Sequence, residues 1–65
     1  MTPREADKAI KSATPINVRS KGFNEHFILL VTSRNRWTVY GSYKQIGSEQ
    51  WFTNGAFDRA DLEII

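Results

Sequence analysis

The sequence predicts a mainly β domain: five short antiparallel strands behind one N-terminal helix, filling a single domain over residues 1–65. Three observations carry that expectation. Apolar residues recur at helical spacing only between Pro3 and Ala13, and from Ile16 onward the apolar spacing is that of strands. Clusters of glycine, asparagine and serine break the second part into segments of strand length. At 65 residues with no cysteine and one histidine, the chain has room for one core, held by apolar packing alone and without a disulfide or zinc site.

Thr2, Pro3 and Glu5 form an N-cap, a first-turn proline and the acidic member of a capping box, which predicts a helix over residues 3–13. Ala6, Ala9, Ile10 and Ala13 give it a narrow face of small residues, and Thr14 before Pro15 ends it. Ile16 to Arg19 alternates and reads as a first strand, broken by Ser20, Lys21 and Gly22. Phe27 to Thr32 is the strongest strand, but it is apolar at successive positions, a pattern that calls for cover on both faces. The helix, a partner or a second copy of the chain could supply that cover. A polar turn from Ser33 to Arg36 leads to a third strand in which Trp37, Val39, Gly41 and Tyr43 alternate with Arg36, Thr38, Tyr40 and Ser42. A loop around Gly47 leads to the strand Glu49 to Thr53, and Asn54-Gly55 is the best short hairpin signal in the chain. Leu62 to Ile65 makes the last strand.

The closing stretch Gly55-Ala56-Phe57-Asp58-Arg59-Ala60-Asp61-Leu62-Glu63-Ile64-Ile65 resembles the end of SH3-like barrels: a glycine, an aromatic two positions on, a 3-10 turn and a final aliphatic strand. The resemblance implies a five-stranded SH3-like antiparallel barrel over residues 16–65. It does not extend to the proline-peptide groove of SH3 domains, because Lys21 to Glu25 replaces the acidic, tyrosine-rich first loop and Asp58 stands where a proline would be. The hairpin signal at Asn54-Gly55 permits an alternative, pairing Trp51–Thr53 with Ala56–Asp58 in an open antiparallel sheet with the helix on one face, an α+β arrangement.

Charge is segregated along the chain. Lysine and arginine outnumber carboxylates five to two over residues 1–22 and three to one over 23–48, whereas residues 49–65 hold four carboxylates against Arg59. Arg34, Arg36, Trp37, Tyr40 and Lys44 share one hairpin. With Arg19 and Lys21 they form a candidate nucleic-acid surface, guanidinium and ammonium groups for phosphates and rings on which bases can stack. The competing expectation makes Trp37 and Tyr43 core residues and the arginines solubilising. A protein partner, as for a small regulator, an accessory subunit or a phage-type inhibitor, is the second functional reading, with a homodimer one form of it. Asp58, Asp61 and Glu63 lack motif spacing for catalysis or metal binding, and His26 has no evident partner. No enzyme activity, cofactor or small-molecule substrate is expected. The longest apolar run, Phe27 to Val31, is too short to span a bilayer and no signal segment is evident, so a cytoplasmic location and no membrane partner are expected.

Overall fold

The computed structural model describes all residues 1–65. Its elements are a helix α1 (Pro3–Ser12), strands β1 (Ile16–Ser20), β2 (Glu25–Arg34), β3 (Thr38–Gln45) and β4 (Phe52–Asp58), a 3-10 turn (Arg59–Asp61) and strand β5 (Leu62–Ile64). The strands form one antiparallel sheet in the order β4-β3-β2-β1-β5. Its edges, β4 and β5, do not pair, so the barrel is not closed and the open sheet with a packed helix is the architecture adopted.

The helix begins as its sequence dictates. Glu5 N donates to Thr2 Oγ1 at 3.1 Å and Thr2 N donates to Glu5 Oε1 at 2.8 Å, completing a reciprocal capping box with Pro3 in the first turn. It ends one residue earlier than expected: Ala13 takes the left-handed conformation as C-cap and donates its N–H to Ala9 O. Ala6 and Ala9 face inward. They join Met1, Val18, Phe27, Leu29, Val31, Val39 and Leu62 in one core, with Ile10, Ile16, Tyr43 and Phe57 packed around it.

Alternation along β2 buries Phe27, Leu29 and Val31 on the core face and leaves Ile28 and Leu30 half-buried on the outer one. The expected cover on both faces is therefore half realised. Helix α1 packs on the core face, and Ile28 and Leu30 stay half-buried on the other. At Thr32 a bulge interrupts the ladder, since Val31 pairs with Gly41 but Ser33 with Tyr40. The extra residue shifts the alternation and sets Arg34 opposite the buried Val39, on the helix side.

Two further expectations need correction. Asn54-Gly55 makes no hairpin: Asn54, at φ 60°, forms a bulge inside a continuous β4, so that Gly41 pairs with Gly55 and Tyr43 with Phe52. The strand placed at Glu49–Thr53 thus lies three residues later, at Phe52–Asp58. Positive φ is needed by a bulge as much as by a tight turn, and pairing to β3 decides between them. Nor is Trp37 a core residue, because Asn35 Oδ1 accepts from Trp37 N at 2.9 Å and from Thr38 N at 2.8 Å. That side-chain turn delays β3 to Thr38 and leaves Trp37 outside. No helix is long and apolar enough to cross a membrane.

Candidate interaction surface

The basic and aromatic residues singled out in the sequence do not gather on one face. Arg34 lies on the helix side, its Nε and Nη2 donating to the two carboxylate oxygens of Asp7 at 2.6 and 3.0 Å. Arg19, on the outer face of β1, donates to Glu63 Oε2 at 3.0 Å and Asn24 Oδ1 at 3.2 Å. Tyr40 and Lys44 also occupy the outer face, where Asn35 Nδ2 donates to the Tyr40 hydroxyl at 3.0 Å and Lys44 Nζ stands 4.9 Å from the Trp51 ring centroid. Lys21 sits in the β1–β2 turn, its backbone N–H donating to Asp61 O. Arg36 and Trp37 form the tip of the β2–β3 hairpin, with the guanidinium carbon 4.9 Å from the Trp37 ring and the indole 65% exposed.

A different set of residues, scattered through the sequence, is brought together on the core face. Helix α1 covers one end of that face. At the other end Phe27, Tyr43, Phe52 and Phe57 form a ring cluster: Phe27 and Phe57 lie 5.1 Å apart, Tyr43 stands edge-on to Phe57 at 5.3 Å and stacks on Phe52 at 5.4 Å. No residue of α1 lines this end. Gly55 belongs to the cluster by its lack of a side chain, since a Cβ there would come within 2.9 Å of both the Tyr43 and the Phe57 ring.

Phe27, Tyr43 and Phe57 of this cluster line a cleft with two adjoining halves, of about 380 and 410 Å³, which share Glu25, Phe27 and Phe57. One half is bounded by His26, Lys44 and Ile46, the other by Phe23, Asp58, Asp61 and Leu62. Phe23 is 82% exposed and Ile46 57%, so two large apolar side chains stand in water at its margins. The one sequence signal for this cleft is Phe23 itself, an aromatic inside an otherwise polar turn. Phe27 and Phe57 lie thirty positions apart and meet only through the sheet.

Charge is one-sided at the half of the cleft bounded by Phe23, whose lining holds carboxylates and no lysine or arginine. The ion pairs of the chain are Arg19–Glu63 and Arg34–Asp7, so Glu25, Asp58 and Asp61 have no cation within 4.0 Å. Asp61 anchors the β1–β2 turn, accepting from Ser20 Oγ and, at 2.7 Å, from Gly22 N. These hydrogen bonds, Ser20 first, hold its carboxyl below the ordinary range, with Lys21 acting in the same direction through space. Asp58 caps the 3-10 turn by accepting from Ala60 N at 3.1 Å. No three His, Cys, Asp or Glu residues are grouped so as to hold a metal ion.

Fold and surface together define a small antiparallel β domain with an aromatic cleft that no element of its own covers. Comparison with protein-family profiles, with curated proteins and with solved structures finds no match to the chain.

Proposed function

We propose that the chain is a small non-enzymatic protein-interaction module that takes an apolar segment of another protein into the aromatic cleft. One observation carries this reading: Phe23, Ile46 and Phe52 remain exposed around a continuous ring cluster in a chain with a very small core. Exposing large apolar groups together disfavours the free protein, at about 25 cal/mol per Å², and burial by a partner reverses that. The 3-10 turn and closing strand also lie where the SH3-like resemblance puts them, which supports an SH3-like architecture. A cytoplasmic setting belongs to the same reading and is supported by the absence of cysteine.

A random dodecapeptide library displayed on phage tests the proposal. Peptides enriched on the wild-type chain should lose binding to Phe23→Ser and to Ile46→Ser, variants that leave the far-UV circular dichroism unchanged. No enrichment, or enriched peptides indifferent to both substitutions, would reject it.

Nucleic-acid contact is supported by Arg36 beside the exposed Trp37 and by Lys44 beside Trp51. It is weakened by the engagement of Arg19 and Arg34 with carboxylates. Micromolar, salt-sensitive binding of single- or double-stranded oligonucleotides in a fluorescence titration would restore it.

A further inference from the structure

The hairpin tip is tied to its surroundings by hydrogen bonds. Asn35 Oδ1 accepts two backbone N–H groups, Trp37 O accepts from Arg59 N at 2.8 Å and Arg36 O accepts from Arg59 Nε at 3.2 Å. The result is a fixed turn displaying a 65% exposed indole with a guanidinium laid on it. Tryptophan and arginine are the residues most enriched among interface anchors, and fixing them in advance removes part of the ordering that binding opposes. The core takes no benefit from Trp37.

The loop-side half of the cleft is complementary to this tip in two independent respects. Its walls are phenylalanine rings, Phe23, Phe27 and Phe57, that leave about 410 Å³ open to an aromatic side chain. Its rim carries Glu25, Asp58 and Asp61, none paired with a cation, although the chain as a whole has net charge +2. Arg36 meets the complementary condition: two arginines that look available in the sequence, Arg19 and Arg34, are held by Glu63 and Asp7, whereas Arg36 makes no ion pair.

We infer that the occupant of the cleft is a second copy of this chain, which inserts Trp37 among Phe23, Phe27 and Phe57 and places Arg36 against Glu25 and Asp58. The inference rests on the interaction reading of the cleft and names its partner. The contact joins unlike surfaces, so two copies engage either reciprocally or in succession. Ring burial supplies the attraction, and the guanidinium–carboxylate contacts set the orientation and make the association weaken as salt rises.

Sedimentation velocity on the whole chain tests it over a range from about 10 µM to about 1 mM, spanning the affinities expected of one small anchor. The wild-type chain should gain mass with concentration, and less so in high salt. Trp37→Ala, which removes the tip, and Phe23→Ser with Glu25→Gln, which removes the cleft, should each weaken association by about tenfold or more with circular dichroism and melting unchanged. An equimolar mixture of the two variants should form a 1:1 pair, because each retains the surface the other lacks. A wild-type chain that stays monomeric at the highest concentration, or a mixture that stays monomeric, overturns the inference. So does association indifferent to both sets of substitutions. Peptide selection that succeeds on a monomeric chain leaves the cleft's interaction role standing and removes only the second copy as its occupant.

Discussion

Replacing Gly41 by alanine tests the closest backbone approach in the sheet. A Cβ built on Gly41 would stand 2.0 Å from the Leu30 carbonyl oxygen and 3.1 Å from Val31 Cα, and side-chain carbons essentially never come within 3.0 Å of a neighbour. Strands β2 and β3 must then separate by about 1 Å at their centre, which stretches an N···O distance of about 2.9 Å past hydrogen-bonding range. Losing one ladder bond and stranding a half-buried carbonyl costs about 2–4 kcal/mol. A chain of this length has about 3–10 kcal/mol of total stability to lose. Urea unfolding followed by tryptophan fluorescence reads the difference, and with a slope of about 1 kcal/mol per molar the midpoint should fall by roughly 2–4 M or the variant should be partly unfolded in buffer. Gly47→Ala is the control: its φ of +86° strains an alanine, but nothing lies within 4 Å of the added carbon. Its cost should stay near the ~1–2 kcal/mol of the left-handed backbone. A Gly41→Ala midpoint at or above that of Gly47→Ala would refute the strand packing described above.

Leu29, fully buried between α1 and the sheet, should cost about 2–5 kcal/mol on replacement by alanine, the largest loss among aliphatic truncations, read by the same urea titration. Thr2→Ala removes one half of the capping box and should cost about 0.5–2 kcal/mol, lowering the midpoint without changing the slope. The Glu5, Asp7 and Asp61 carboxyls are held below their ordinary range by hydrogen bonds from Thr2, from Arg34, and from Ser20 and Gly22 respectively. Depressed carboxyls stabilise the fold fully above the unfolded-chain value of about 4 and lose that contribution as pH falls through their lower folded values. Urea midpoints should therefore hold from about pH 7 to about pH 5 and drop below about pH 4, and Asp61→Asn should shrink the gap between neutral and acid midpoints.

How far the sequence reveals this molecule depends on whether a signal is local. Thr2, Pro3 and Glu5 act on one another across a single turn, so the helix start is readable residue by residue. The β2–β3 hairpin is readable from its apolar runs and the polar turn between them. Asn54 is readable only in part: its positive φ follows from the Asn-Gly pair, but whether that φ serves a turn or a bulge depends on Gly41 and Tyr43 across the ladder. Strict alternation from Val39 puts Trp37 inward at the start of β3, whereas the Asn35 side chain starts the strand one residue later and leaves Trp37 outside. The cleft was not readable, since ring contacts between Phe27, Tyr43, Phe52 and Phe57 arise from strand order and exposure follows from what the ten-residue helix fails to reach.

Charge shows most clearly how topology rewrites a linear pattern. Basic residues gather before residue 49 and acidic ones after it, which on a linear reading favours a polarised surface and a polyanionic partner. The strand order undoes the separation by laying β5 beside β1, so that Glu63 faces Arg19 across the ladder and Asp61 holds the turn that carries Lys21. The bulge at Thr32 adds a second ion pair on the other face by turning Arg34 toward Asp7. At the hairpin tip Arg36 stays without an ion pair, and so do Glu25, Asp58 and Asp61 around the phenylalanine rings. A partner with one cationic, aromatic projection matches the cleft, and the chain's own hairpin tip is such a projection.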